Sequence, residues 1–156
     1  MKRIWVALFI AATTTWSAST IISLARTQNP TPKPPPKAVV TAAQANGTYR
    51  SDDNELKILA LGHNKLKVQF DGVYHTISKS VNTGHAEGEA IIDGNVATLE
   101  LPDSGQCKIN IVFLTRNRLK VMQEGDSPDC GFGHNVRADG TYRKIRSGKP
   151  KFEPPP

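Results

Sequence analysis

Three polar residues at alternate positions form the first set that could do chemistry. His85, Glu87 and Glu89 stand two residues apart in the segment GHAEGE. Residues two apart in a β-strand project from the same face of the sheet. One imidazole and two carboxylates on one face can bind a divalent metal ion or transfer protons. The alternative is a solvent-facing strand, where polar residues alternate readily. We therefore predict no metal site and no cofactor, and retain these three residues as the ligand candidates.

The two cysteines, Cys107 and Cys130, allow either a disulfide or a reactive thiol. A catalytic thiol needs a base within hydrogen-bond reach, and His134 lies close to Cys130 in the sequence. An even number of cysteines in an exported chain favours a disulfide, because the compartment is oxidising. We therefore predict a Cys107–Cys130 bridge that ties the glycine-rich segment around Cys130 to a strand.

The glycine-rich segment 125–136 is the predicted binding loop. It contains Phe132, which we interpret as an exposed aromatic residue, and the polar residues His134 and Asn135. A rigid scaffold that presents one irregular loop is a common arrangement for binding. The alternative is that the glycines only permit turns between strands.

Motifs with a known catalytic mechanism are absent from the sequence, which has no G-x-S-x-G, H-E-x-x-H, P-loop or C-x-x-C pattern. We therefore predict that the protein is not an enzyme. The preferred function is an exported binding or inhibitor-like module that acts on a protein or a cell-envelope component. The alternatives are a small hydrolase or metal-dependent enzyme that uses His85, Glu87 or His134, and a carrier of a small ligand.

The two ends of the chain differ in composition from its middle. Residues 1–25 combine the basic start MKR, the apolar run IWVALFIAA and the small residues SLA, which is typical of a signal peptide. The uncharged stretch 4–25 is also long enough for an uncleaved membrane anchor. Residues 26–43 are predicted to be a proline-rich linker, and residues 146–156 a disordered basic and proline-rich tail. The predicted location is periplasmic, extracellular, or tethered on the outer side of a membrane.

The formal net charge of +6 arises outside the predicted domain, which comprises residues 44–145. That stretch contains twelve Lys or Arg and thirteen Asp or Glu, interleaved along the sequence. A nucleic-acid-binding domain concentrates positive charge on its folded surface. We therefore predict no nucleic-acid partner. We also expect a monomer, with membrane contact only through residues 1–25 if they are not cleaved.

Alternation of apolar and polar residues across the domain is typical of β-strands, as in LKVQF and CKINIVF. Turn signals recur between such segments, among them the pair Asp71–Gly72. Strands are predicted near residues 47–51, 55–61, 65–70, 73–79, 86–92, 96–101, 106–114, 118–123 and 135–144. An open sheet of these strands would leave long edges exposed. The predicted fold is therefore all-β, an antiparallel meander closed into a barrel of about eight strands with a packed core.

The tetrapeptide Gly-Thr-Tyr-Arg occurs twice, at 47–50 and at 140–143. Each copy follows an Asn or Asp at a predicted turn. We predict that the copies belong to the first and last strands, which lie side by side where the barrel closes. An even number of strands would make them antiparallel neighbours.

The segments GQCKINIVF, LKVMQ and CGFGHNVRADGTYRK resemble a group of short exported bacterial proteins. The shared features are a strand that begins with cysteine, a Cys-Gly loop and a closing Gly-x-Tyr. This resemblance spans residues 105–144 and implies the barrel and the disulfide, but no activity, since none is assigned to that group. The general build is also similar to periplasmic lysozyme inhibitors, although their Ser-Gly-x-x-Tyr-type loop is absent here. That likeness implies architecture alone.

Overall fold

The computed structural model describes residues 39–101 and 106–153. The predicted signal peptide at 1–25, most of the predicted linker and a predicted turn at 102–105 lie outside the described residues. In the part that is described, none of the helices reaches the length and apolarity that a membrane span requires.

Eight strands form a closed antiparallel barrel in the described part of the chain. A short helix, α1 (Ala42–Ala45), precedes them. The strands are β1 (Gly47–Ser51), β2 (Asn54–Gly62), β3 (Lys65–His75), β4 (Val81–Asp93), β5 (Val96–Glu100), β6 (Lys108–Leu114), β7 (Arg118–Glu124) and β8 (Gly140–Ser147). Each strand pairs with its predecessor, and β8 pairs with β1. The predicted all-β fold, a closed barrel of about eight strands with one disulfide, is confirmed.

Strand β3 continues through Asp71 and Gly72, where a turn was predicted, so that prediction is wrong. Gly72 lies directly opposite Gly84 on β4. A Cβ atom at Gly72 would stand 2.5 Å from the ring of Phe70, so glycine is required there for space. The chain turns instead at Thr76–Ser80, where the amide of Thr76 donates to the carbonyl of Ser80 at 2.9 Å.

The last predicted strand, 135–144, also differs from the observed one, because β8 begins only at Gly140. In the residues before Gly140, hydrogen bonds from side chains take the place of the backbone hydrogen bonds between strands. The amide of Ala138 donates to Oε1 of Gln123 at 2.8 Å, and the amide of Gln123 donates to Oδ1 of Asp139 at 2.9 Å. These local hydrogen bonds satisfy the backbone without strand pairing, so residues 125–139 form a loop.

Helix α1 lies where the linker was predicted to extend to residue 43, so that boundary is wrong. Thr41 is its N-cap: the amide of Gln44 donates to Oγ1 of Thr41 at 3.3 Å, and the amide of Thr41 donates to Oε1 of Gln44 at 2.8 Å. This reciprocal pair is a capping box. The sequence Thr-Ala-Ala-Gln contains the signal for it.

The interior of the barrel is filled by apolar side chains from every strand. The largest fully buried apolar side chains are Tyr49, Tyr142, Phe70, Leu56, Ile58, Leu99, Ile109, Ile111, Leu119, Val68 and Val121. Complete burial of one such Leu, Ile or Val side chain stabilises the fold by about 2 kcal/mol. The core is therefore packed with side chains, as expected from the alternating strands.

The two Gly-Thr-Tyr-Arg segments lie side by side and antiparallel in β1 and β8, as predicted. Tyr49 is paired with Lys144, and Gly47 with Ser147. At Gly47, with φ +156°, a Cβ atom would stand 2.5 Å from the carbonyl oxygen of Arg146. Glycine therefore permits the close approach of the first and last strands at this point.

Each copy of the repeat also holds the segment that precedes it against one end of the barrel. The Tyr49 hydroxyl donates to the carbonyl of Ala45 at 2.8 Å, and the Tyr142 hydroxyl donates to the carbonyl of Ala138 at 2.9 Å. Because β1 and β8 are antiparallel, these contacts lie at opposite ends. Helix α1 thus packs at one end and the loop 125–139 at the other.

Candidate functional site

The disulfide joins Cys107 to Cys130, as predicted, with 5.0 Å between their Cα atoms. Both residues are buried. Cys130 is the last residue of a single 3₁₀ turn, Pro128–Cys130, near the start of the loop 125–139. The alternative of a Cys130 thiol activated by His134 is wrong, because the sulfur is bonded to Cys107.

Phe132 is buried, with 5 % of its surface exposed, so its interpretation as an exposed binding residue is wrong. Its ring centroid lies 5.1 Å from that of Phe70. A Cβ atom at Gly84 would stand 2.9 Å from the Phe132 ring, so that glycine makes room for it. The ring belongs to the apolar core and packs against Phe70, and this apolar contact explains its burial.

His134 and Asn135 are exposed and lie beside the edge of β4. The Asn82 side chain donates to the carbonyl of His134 at 2.7 Å, and the amide of Gly133 donates to the carbonyl of Thr83 at 2.9 Å. Asn135 has a left-handed backbone, with φ +64°, and turns the chain back toward the barrel. The structure therefore brings the predicted loop next to the strand that carries His85.

His85, Glu87 and Glu89 do share the outer face of β4. Each is paired across to β3, however. Nδ1 of His85 lies 2.7 Å from Oδ1 of Asp71. Glu87 forms an ion pair with Lys67 at 2.7 Å, and Glu89 one with Lys65 at 2.8 Å. Among the described residues no group of three or more His, Cys, Asp or Glu is arranged to hold a metal ion.

A groove of about 310 Å³ runs across the outer face of β2, β3 and β4. Its charged lining residues are Asp53, Glu55, Lys57, Asp71, His85 and Glu153. Glu55 is neutralised by Arg50 at 2.7 Å, on the rim. With histidine counted as neutral, the groove and its rim carry four negative and two positive charges. The groove is therefore acidic.

Within residues 39–101 and 106–153, two of these carboxylates have only histidine partners. Asp71 is hydrogen-bonded to His85, and Asp53 lies 3.6 Å from Nε2 of His75. Neither forms an ion pair with a lysine or arginine within residues 39–101 and 106–153. Their charges are therefore the ones in the groove that no lysine or arginine of the described residues offsets.

The C-terminal segment, residues 148–153, contributes Glu153 to one wall of the groove. The sequence analysis did not predict this contact. Gln69 on β3 is fully buried although it faces outward. Its Nε2 donates to the carbonyl of Glu153 at 2.6 Å, and the amide of Glu153 donates to its Oε1 at 3.3 Å. The predicted disordered tail from residue 146 is therefore wrong for residues 146 and 147, which belong to β8, and for Glu153, which is bonded to the sheet.

Two lysines complete the contact between this segment and the sheet. Nζ of Lys67 lies 4.5 Å from the ring centroid of Phe152, a cation–π distance. Nζ of Lys57 lies 3.8 Å from carboxylate oxygens of both Glu153 and Glu55, and its side chain is only 8 % exposed. A single aromatic residue within a proline-rich tail was the sequence signal that could have indicated this docking.

Searches of this chain against protein-family models, curated proteins and solved structures find no match of any of the three kinds.

Proposed function

We propose that the protein is an exported, non-enzymatic binding module that holds an extended, basic segment of a partner protein in the acidic groove of β2–β4. The observation that carries this proposal is the pair of hydrogen bonds between the Gln69 side chain and the backbone of Glu153. They support the proposal because this sheet face already binds the backbone of one residue of the chain's own C-terminal segment.

Recognition through backbone groups explains why an extended segment suits this face. The Gln69 amide contacts both the N–H and the C=O of one residue, as a strand partner does. Such main-chain hydrogen bonds provide affinity that does not depend on side-chain identity, whereas pockets beside them provide specificity. The residue bound here, Glu153, stands at the wall of the groove, so a partner segment would lie alongside it.

The charges of the groove favour a cationic partner. Asp53 and Asp71 lack a lysine or arginine partner in the described chain, whereas Glu153 and Glu55 already face Lys57. A lysine or arginine side chain on the bound segment would supply the missing charge, because charged hydrogen bonds are stronger than neutral ones. Proline residues beside it would keep the segment extended before it binds, which lowers the entropy cost of binding.

Titration calorimetry with the full chain tests this proposal. The probe is a capped peptide in which lysine alternates with proline, and the matched peptide has glutamate in place of lysine. We expect the lysine peptide to bind and Asp71→Asn to weaken it about tenfold, the effect of one lost charged hydrogen bond. The glutamate peptide should not bind.

The control variant is Glu89→Gln, which removes one negative charge from the same pair of strands outside the groove and should leave the affinity unchanged. A lysine peptide that does not bind, or that binds Asp71→Asn as tightly as the wild type, would disprove the proposal.

A second candidate function, acid–base hydrolysis, is favoured by the His85–Asp71 hydrogen bond of 2.7 Å. A histidine oriented by a carboxylate is the base half of many hydrolytic sites. Thr83 lines the same groove and supplies a hydroxyl. The other two residues considered for catalysis are less suitable. Glu87 is ion-paired with Lys67, and His134 lies on the loop 125–139 and does not line the groove. Hydrolysis of a nitrophenyl ester that is no faster with the wild type than with His85→Ala would eliminate this candidate.

A further inference from the structure

A second charged surface lies on the side of the barrel opposite to the groove. Four basic residues project outward from β7 and β8, and we call them the basic face: Arg118, Lys120, Arg143 and Arg146. All four are exposed. In the described ranges, 39–101 and 106–153, none of them forms an ion pair with an acidic residue, whereas Lys65 and Lys67 on β3 are both paired.

Strand pairing concentrates this charge. Arg118 is directly opposite Arg143, and Arg143 is directly opposite Arg50 on β1. Neighbouring strands lie about 4.8 Å apart, so three arginines stand in one row across three strands. Like charges directly opposite each other destabilise a sheet. Glu55 neutralises Arg50 at 2.7 Å, whereas Arg118 and Arg143 have no acidic partner among the described residues.

Exposed apolar side chains are interspersed with these cations. Leu114 lies directly opposite Arg118 and is 41 % exposed, and Met122 follows Lys120 on the same face with 42 % exposure. Ile145, between Arg143 and Arg146, is 49 % exposed at the irregularity where β8 meets β1. Cations combined with exposed aliphatic side chains fit the interface of an anionic lipid bilayer.

We infer that the basic face docks the barrel onto an anionic membrane surface. Arg118, Lys120, Arg143 and Arg146 contact the headgroups, and Leu114, Met122 and Ile145 enter the boundary with the acyl chains. The outer faces of β6, β7 and β8 carry no aromatic side chain, and single-stranded nucleic acids are bound largely by stacking on such residues. A bilayer therefore suits this face better than a nucleic acid.

This inference does not depend on the proposed function, because the basic face and the groove share no residue. Along the sequence the charges of the domain are interleaved, and no basic run indicates such a face. Closure of the barrel separates the positive charges from the negative ones. The pairing of β7, β8 and β1 brings together arginines from three segments that are distant in the sequence. Peripheral contact of this kind would add to any attachment through the N-terminal segment.

Co-sedimentation of the full chain with lipid vesicles tests the inference. One vesicle contains equal parts of phosphatidylglycerol and phosphatidylcholine, and the other contains phosphatidylcholine only. We expect tighter binding to the anionic vesicle, weakened by salt. Arg118→Gln combined with Arg143→Gln should reduce that binding about 30-fold, since each basic residue near an anionic surface contributes about fivefold.

The matched control is Lys65→Gln combined with Lys79→Gln, which removes the same charge from the opposite side of the barrel and should leave binding unchanged. All variants keep the same N-terminus, so its contribution cancels. Equal binding to the two vesicles, or no loss in the arginine variant, would overturn the inference. If polyphosphate binds as tightly as the anionic vesicle and Leu114→Ser affects neither, the face recognises a soluble polyanion and the membrane assignment fails.

Discussion

At the scale of single residues, Tyr49 and Tyr142 connect the barrel wall to the segments that cover its ends. Each tyrosine is buried and donates its hydroxyl to the carbonyl of an alanine four residues before it. The same device recurs because both segments share the sequence Ala-Asn/Asp-Gly-Thr-Tyr-Arg. Burial also raises the pKa of both phenols above its ordinary value, since the phenolate is poorly solvated in the core.

Replacing either tyrosine by phenylalanine should destabilise the fold. Tyr49→Phe and Tyr142→Phe each leave buried carbonyl groups with one donor fewer, and we expect each to lower the free energy of unfolding by about 1–3 kcal/mol in guanidinium denaturation. The control is Tyr74→Phe, whose ring is 38 % exposed and whose removal should cost less than about 0.5 kcal/mol. An equal loss in all three variants would contradict the role given to the two hydroxyls.

The same variants predict an alkaline effect. Because the folded pKa of each tyrosine is raised, this contribution to stability is complete below the unfolded pKa of about 10 and is lost as the pH rises from there toward the folded pKa. Above pH 10 the stability of the wild type should therefore fall more steeply than that of the double variant Tyr49→Phe/Tyr142→Phe. If the stability of the wild type and that of the double variant fall in parallel above pH 10, the two phenols are not the groups that respond to pH.

At the scale of elements, the C-terminal segment is fixed to the sheet without becoming a strand. Proline removes backbone donors and prevents a regular ladder. The Gln69 side chain replaces that ladder with two hydrogen bonds to one residue, and Lys67 packs on Phe152. Gln69 can be buried because its amide nitrogen and its amide oxygen are both hydrogen-bonded.

Gln69→Leu should release the segment, because leucine keeps the bulk of the side chain but forms neither hydrogen bond. We expect the acylation rate of Lys57, measured by mass spectrometry, to rise several-fold as its Nζ becomes accessible. A chain that ends at Gly148 should show the same rise. Lys65, which is already half exposed, serves as the internal control and should react at an unchanged rate. Continued protection of Lys57 in both proteins would show that the segment does not cover it.

At the scale of the whole molecule, the disulfide links the loop 125–139 to the beginning of β6. It closes a stretch of 23 residues that includes the β6–β7 hairpin. The loop also contributes Phe132, Val136 and Ala138 to the core. The bridge and this apolar packing therefore act on the same end of the barrel.

Removal of the bridge by Cys107→Ala/Cys130→Ala should lower the free energy of unfolding by about 3 kcal/mol, the loop-closure entropy for a segment of this length. Reduction of the wild-type protein should produce a similar loss, whereas the double variant should not respond to reductant. Far-ultraviolet circular dichroism should report a β-sheet in both, because β1–β8 pairing closes the barrel independently. A melting temperature that reduction does not change would contradict this account.

Particular residues show where sequence reasoning succeeds and where it stops. The pairing of Cys107 with Cys130 was predicted from the even number of cysteines and the expected oxidising compartment. The adjacency of the two Gly-Thr-Tyr-Arg segments was predicted from the order of the strands. Phe132 was wrongly predicted to be exposed, because its burial depends on packing against Phe70 and on the room left by Gly84. No local sequence pattern shows these contacts. Asp71–Gly72 was misread as a turn because glycine serves equally for a turn and for close packing.

The fold class, the disulfide and the pairing of the first and last strands could be predicted from the order of the residues. Alternation with period two, the even number of cysteines and the repeated tetrapeptide can each be recognised in the sequence without knowing which side chains pack together. Three features could not be predicted in this way: Phe132 belongs to the core, Glu153 is hydrogen-bonded to Gln69, and Arg118, Arg143 and Arg50 stand in one row. These features join residues far apart in the chain, so they arise only when closure of the barrel sets which segments are neighbours.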